Sequence, residues 1–478
     1  MSADIETVLR NTLTARADLR IDAADPWQHF VAGERRHRRN RRLRIGAGAV
    51  VGVTALGLAG AGFIPVPSWT PAITLEQATS PLREEPTKGS LADDVGWLAE
   101  FRETVPALLA ETWAGDSDGH WRVEDTGEVR VLFAGDVFDD RLVVAVVPLR
   151  IGLLRAETTV WFRGPAGAAP AELHEDGSSG ALTTASVSRL DVEDGVGHAL
   201  VLAPAGTRAE VSGGVTYRAD GTIERSWTEL TTAPSGEIAG TVPVRGQAHA
   251  LRIALPGGDF EPDNWHMQGG EVLGLEEFEA LVDQATSELD AAHRHLAGAV
   301  LPFALAEAGL DWNATTVTTL WAGEVQGQSA LLVAAQPRDG GVLLFAPREA
   351  VPTGGGGEQV SQLELRLLAP ADGAYSRPYA WRVRAEEDDT AESGTVVVVA
   401  PSTADRVEIQ RADATTIPVS IDSTGTGTAE LPEADRATVI AYAEDGRVLG
   451  ETPIPPLDTG YSPIPGETEA TSVVLAAH

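Results

Sequence analysis

Two histidines two residues apart, His293 and His295, come nearest to a metal-ligand spacing in this sequence. On a helix, positions i and i+2 point about 200° apart, so the pair cannot share one ion as an i, i+4 pair can. Asp116-Ser-Asp118-Gly119 is half of a calcium-loop pattern. The full pattern needs a third oxygen ligand and a late Glu, and His120 and Trp121 follow instead, so an ordinary Asp-Gly turn is the better reading. Ser178-Ser179 lacks the strand–elbow–helix context that exposes a nucleophilic serine. Gly354–Gly357 lacks the Lys and helix start that phosphate binding needs, and Glu386-Glu387-Asp388-Asp389 reads as a solvated loop. The chain has no cysteine, which removes disulfides, zinc–thiolate sites and cysteine nucleophiles together. The sequence therefore predicts no catalytic residue, no metal site and no cofactor.

One stretch has the composition of a contact loop. Residues 257–270, GGDFEPDNWHMQGG, set Phe260, Trp265 and His266 among Asp259, Glu261 and Asp263. Aromatic rings beside carboxylates in a loop suit sugar or peptide contacts. The competing reading has the same rings pinning one part of the chain against the next. Phe260, Asp263, Trp265 and His266 are thus the candidates for ligand or inter-repeat contact. Trp97, Trp113, Trp161, Trp321 and Trp381 fall on helix or strand patterns and read as core.

The elements around these residues recur. VRVLFAGDV at 129–137 answers VTTLWAGEV at 317–325, with five of nine positions identical. Pro106–Glu111 answers Pro302–Glu307, Leu202–Pro204 answers Val399–Pro401, and Gly236 with Pro243 answers Gly425 with Pro432. The offsets of 196, 188, 197 and 189 keep the same order, as a duplicated domain with loop insertions would. Each copy opens with a helix. The first is marked by Ser90-x-x-Asp93 and by Val95, Leu98, Val105 and Leu109 at helical spacing. The second is a longer stripe from Leu275 to Leu296 that continues past Pro302. β-branched runs follow: 129–134, 141–148, 158–162 and 198–203 in the first copy, 317–322, 330–335, 342–345 and 395–400 in the second. Short strands between Gly, Asp and Thr turns at 205–256 and 402–450 read as a small β-sandwich or an extension of the sheet. The expected fold is α+β, mainly antiparallel β, in two tandem copies of a helix-plus-sheet module.

The charge is strongly uneven. The whole chain of 478 residues carries 36 basic and 70 acidic side chains, net −34, which argues against general nucleic-acid binding. Yet residues 1–44 hold ten arginines against six acids, and Arg35, Arg36, Arg38, Arg39, Arg41, Arg42 and Arg44 crowd one short run. Directly after them, residues 45–64 read IGAGAVVGVTALGLAGAGFI without one charge. A helix of that length spans roughly 30 Å, the hydrocarbon core of a bilayer. Arginines on its N-terminal flank alone keep that side in the cytoplasm against anionic lipid. The long basic region is a poor match to a cleavable signal peptide. Gly48-x-x-x-Gly52 has the spacing that lets two such helices approach and dimerise.

The domain plan that follows is a cytoplasmic basic tail at 1–44, a transmembrane helix at 45–64 and a Pro-rich linker at 65–90. Repeat 1 occupies 91–258, an inter-repeat loop 259–273, repeat 2 274–450 and a C-terminal tail 451–478. Asp25-Pro26-Trp27, the GERRHRRNRRLR block at 33–44, the Gly/Ala/Val span, and a single Lys, Lys88, beside 35 Arg resemble actinobacterial single-pass membrane proteins. The resemblance covers about residues 1–65, and some members of that class are similar to anti-sigma regulators. It implies a plasma-membrane location with the N-terminus inside and the remainder outside. The expected role is non-enzymatic binding or scaffolding at the cell envelope, with the bilayer and an envelope protein or polysaccharide as partners. Two alternatives stand beside it: a transmembrane regulator whose residues 1–44 dock a cytosolic protein, and an envelope hydrolase.

Overall fold

A computed structural model describes residues 73–457 and 464–467, apart from 114–120, 152–153, 194, 245–247, 263–265, 268–273, 351–359, 385–391 and 433–435. The seven arginines at 35–44, the apolar run at 45–64, Asp116–Gly119, Gly354–Gly357, Glu386–Asp389, Asp263 and Trp265 lie outside the described residues. Among the described residues no helix is long and apolar enough to cross a membrane. The chain divides into two compact units. One unit is residues 1–75 with 120–122 and 150–155, of which little is described, and the other holds everything else. The second unit is mainly antiparallel β-sheet with three α-helices among the described residues.

Its first helix, Val95–Trp113, starts where the Asp94 carboxylate accepts from the Trp97 amide at 2.9 Å. Asp94 therefore serves as the cap, while Ser90, the expected one, accepts from the Asp136 amide instead. Phe101 on this helix is fully buried and meets Phe162 edge-to-face, ring centres 5.2 Å apart. Phe162 belongs to a sheet whose successive neighbours are Arg130–Val137, Asp140–Ile151, Leu154–Pro165 and His174–Ser179. Ser178 and Ser179 are thus strand residues. A second sheet is built on Val187–Glu193, Val196–Leu202 and Ile238–Pro243, and a third on Thr228–Glu229, Arg208–Ser212, Ala250–Ala254 and Glu261–Pro262.

The second half opens with two helices, Leu275–Thr286 and Ala291–Glu307. The single apolar stripe is cut at Asp290, whose carboxylate caps the second helix through the His293 amide at 3.0 Å. An antiparallel sheet of Thr315–Val325, Gln328–Pro337, Val342–Ala350 and Val360–Ala369 follows. Then come a three-stranded sheet, Tyr379–Arg384, Glu392–Val399 and Thr426–Glu430, and a four-stranded one, Thr416–Val419, Arg406–Arg411, Ala437–Tyr442 and Val448–Pro453.

The layering follows from period-two alternation. Leu331, Val333 and Ala335 pack with Phe278, Val282, Leu296 and Leu301 of the helices. Their neighbours Ala330, Leu332 and Ala334 pack the opposite way, with Trp381 and Val397. Val396 and Val398, on the far side of that strand, pack with Val407, Ile409 and Val439. Helices and three sheets thus stack in four layers, and the central strands bury both faces. Each Leu or Phe so buried stabilises the fold by roughly 1.5–3 kcal/mol. Trp161, Trp321 and Trp381 are buried as expected, Trp97 is only half-buried and stacks on Phe101, and the Trp113 side chain lies outside what is described.

Two strands per half lay outside the sequence reading: His174–Ser179 with Val187–Glu193, and Val360–Ala369 with Tyr379–Arg384. Part of the Pro-rich segment is also built into the fold. Lys88 donates from its amide to Leu132 O and accepts from the Ala134 amide, both at 2.9 Å, so residues 87–91 line the strand Arg130–Val137. Gly89 has φ +97°, and a Cβ there would lie 2.3 Å from Ala134 O.

Candidate functional site

The strand Val187–Glu193 alternates Arg189, Asp191 and Glu193 with Leu190 and Val192. Leu190 and Val192 enter a core with Ala199, Val211 and Leu251, so the three charges share the other face. There they meet the hairpin between Arg130–Val137 and Asp140–Ile151, and the strand Leu154–Pro165. The result is a recess lined by Phe138, Asp140, Arg163, Arg189, Asp191 and His198, with Asp139 and Glu193 also on its wall.

Its floor is an ion-pair network. Arg189 donates through Nε to both oxygens of Asp191 at 2.8 Å and through Nη2 to Asp176 at 2.5 Å. Its guanidinium also lies 5.5 Å from the centre of the Trp161 ring. Arg163 pairs with Asp140 and stands 3.8 Å from Asp191 and 4.0 Å from Asp176. Burial pushes the Asp191 carboxyl up, against the pull of Arg189 and Arg163. Burial likewise opposes the Arg163 charge, but the Asp140 carboxylate outweighs it and holds the guanidinium above its usual range.

The rim differs in character. Phe138 is 38 % exposed and sits at φ +57°, the left-handed region that β-carbon-bearing residues avoid. Its ring meets His198 edge-on, centres 4.5 Å apart. His198 Nδ1 is buried without a hydrogen-bond partner. Asp139 and Glu193 are exposed. The described residues that line the recess bring carboxylates, guanidinium groups, an imidazole and a phenyl ring together with Leu142 and Leu200, groups that can recognise charge and hydrogen-bond donors.

The sequence-predicted contact residues separate. Phe260 lies between the guanidinium groups of Arg208 and Arg252, 4.8 Å from each, and Arg252 also covers Trp227 at 4.3 Å. That places Phe260 on the outer sheet of the first half. The His266 backbone pairs in parallel with Arg189, which brings the inter-repeat loop alongside the strand that floors the recess. Asp263 and Trp265 fall outside the described residues, and among the described residues no contact connects Phe260 to the recess. His293 is a helix-to-strand tie, its ring nitrogens 2.8 Å from the Asp290 carboxylate and 2.9 Å from Gly323 O, while His295 is exposed.

Phe138, Arg163, Arg189, Asp191 and His198 were not singled out from sequence. The alternation of Arg189, Asp191 and Glu193 was a readable signal of a polar strand face. The convergence of three strands on it was not readable.

No protein-family model matches the chain, and no curated protein matches it in sequence. Two solved structures of the plexin A4 full extracellular region align with 68 % of the chain at 9 % identity and a TM-score of 0.13. The aligned part covers 45 % and 35 % of those chains, so this chain spans less than half the length of either.

Proposed function

We propose that the protein is a single-pass membrane protein with residues 1–44 inside, 45–64 in the bilayer and the remainder displayed at the cell envelope as a non-enzymatic binding or scaffolding unit. The displayed part is two tandem copies of one helix-plus-sheet module. The common strand order of the two halves supports this, as does a register shift recurring at Val131/Phe133 and Thr319/Trp321, the same offset of 188 that relates the sequences. Pro106 and Pro302 both sit inside helices at matching places.

The observation that carries a binding role is the recess with Phe138 at its rim. An exposed ring at the rim, beside the exposed Asp139 and Glu193 carboxylates and above an ion-paired floor, is the kind of anchor that recognition sites use. A hairpin of the first half, Thr216–Tyr217 with Ile223–Glu224, inserts into the second, where the Tyr217 hydroxyl donates to Ala308 O at 2.7 Å. Such fastening of one half to the other suits a platform.

Reporter fusions test the topology. An enzyme active only outside the cytoplasm, fused after residue 478, is expected to be active, and one fused after residue 40 inactive. The reverse pattern would overturn the reading. Cross-linked native membranes then identify the partner class: envelope partners that survive deletion of 1–44 uphold the outer module, whereas a cytosolic partner lost on that deletion favours the regulator.

A further inference from the structure

The recess of the first half has a specific charge and donor balance. Asp140, Asp176 and Asp191 are paired with Arg163 and Arg189, which neutralises most of the floor. Asp139 and Glu193 remain at the mouth, with no ion-pair partner among the described residues. The wall between floor and mouth is aromatic, from Phe138 and His198.

The turn geometry does not call for an aromatic ring at Phe138. The hairpin at the matching place in the second half uses Gln326-Gly327, with φ +54° and +76°, the pattern that two-residue hairpins favour. In the first half the same first position, φ +57°, is filled by Phe138. Both side chains accept the same left-handed backbone, so the choice of a ring in the first half is not made by the turn. The ring gains its contact with His198, and its exposed remainder faces solvent beside two carboxylates.

These features select one ligand chemistry. An anion would meet Asp139 and Glu193 head-on. An apolar group would cover Asp139 and Glu193 without pairing them. A cation with N–H donors satisfies both features: the carboxylates by charge and hydrogen bonds, and Phe138 by cation–π contact. We propose that this recess binds a guanidinium or alkylammonium group, presented by a basic side chain of a partner protein or by a free amine. The inference rests on the binding role proposed above and names the ligand class of that site.

Titration calorimetry on the purified full-length chain tests it. The probes are acetyl-Gly-Arg-Gly-amide, agmatine, and acetyl-Gly-citrulline-Gly-amide as the neutral analogue of the same shape. The arginine peptide is expected to bind, with affinity falling as salt rises and roughly tenfold or more in F138N and E193Q. F138N keeps a residue that tolerates the left-handed turn, so its loss of binding is not a loss of folding. Tryptophan emission of each variant checks this directly. If agmatine binds as tightly as the peptide, the natural ligand is a free amine; if only the peptide binds, it is a protein side chain, and either result upholds the cationic site. Equal binding of the citrulline peptide, no binding at millimolar probe, or unchanged binding in both variants would overturn it. None of these outcomes depends on membrane topology, so failure here and failure of the reporter fusions are separate results.

Discussion

Tyr217 is where one half of the chain is fastened into the other, and removing it has a calculable effect. Its ring is 5 % exposed among Phe278, Leu296, Leu301 and Phe345 of the second half, and burial pushes its phenol well up from the ordinary value. Its hydroxyl satisfies Ala308 O, a carbonyl at the C-terminal end of the helix Ala291–Glu307. The tip of the hairpin is fixed as well, by the Ala371 amide donating to Ala219 O at 2.8 Å. Tyr217→Phe removes only the hydroxyl and leaves Ala308 O buried, a loss of about 1–3 kcal/mol. Tyr217→Ala also empties a ring-sized space, for a total of about 3–5 kcal/mol or slightly more. Urea unfolding followed by tryptophan emission, with thermolysin digestion in parallel, reads both effects. The graded order wild type, Phe, Ala is expected, with new cleavage around residues 213–227 in the Ala variant. An Ala variant within about 0.5 kcal/mol of wild type would refute the hairpin as a fastening, since scatter for surface substitutions is of that size.

Three further outcomes follow from named contacts. Glu364 is buried and accepts from Arg348 Nε at 2.8 Å, the Arg384 amide at 3.1 Å and Trp381 Nε1 at 3.3 Å. Glu364→Ala strands the Arg348 charge and should destabilise by about 3–5 kcal/mol in urea titration, whereas Glu408→Ala, which frees the half-exposed Arg406, should change stability by less than about 1 kcal/mol. Burial opposes protonation of His293, but Gly323 O and the Asp290 carboxylate outweigh it and raise its pKa above 6.5. Stabilisation from a raised histidine is full below its unfolded value and is lost as pH rises through the folded one. The difference in melting temperature between wild type and His293→Gln should therefore shrink from pH 6 to pH 8, and parallel curves would contradict the tie. Gly89→Ala places a Cβ 2.3 Å from Ala134 O at φ +97°, and should release residues 87–91 from their strand, seen as faster hydrogen exchange of the Ala134 amide.

Much of the architecture was legible because it rests on short-range pattern. The runs at 129–134 and 330–335 are apolar enough to declare strands, and the hairpins between them carry turn residues. The strand Val360–Ala369 was not legible, since SQLELRL mixes buried Glu364 with Leu365, and a carboxylate in a core is invisible until Arg348 on the neighbouring strand is seen to pair with it. The helix break at Asp290 was hidden by an apolar stripe that runs on through it. At the site, Phe260 was drawn out by its acidic neighbours, yet its partners are Arg208 and Arg252, about fifty and eight residues away in the chain. Composition reports what stands next to a residue in sequence, and cation–π and ion-pair partners are set by sheet register.

The comparison of the two hairpins shows where such information does exist. On the proposed duplication, residues 137–140 and 325–328 began as one turn, and the second half keeps Gln326-Gly327, which the backbone prefers. The first half holds Phe138 at the same left-handed position, and the ion-paired floor with Arg189 and Asp191 lies beneath it. In the second half, the corresponding interior is closed by Arg348 and Glu364, whose side chains are 3 % exposed and fully buried. A pair of modules with one fold can therefore divide the work, one half closing its polar groups inside and the other leaving them under an exposed ring. On that division, exchanging the turn residues should move the ring without moving the binding: Phe138→Gln in the first half is expected to abolish binding with stability little changed, because Gln326 accepts the same backbone, and Gln326→Phe in the second to create none, because Arg348 and Glu364 are closed inside there.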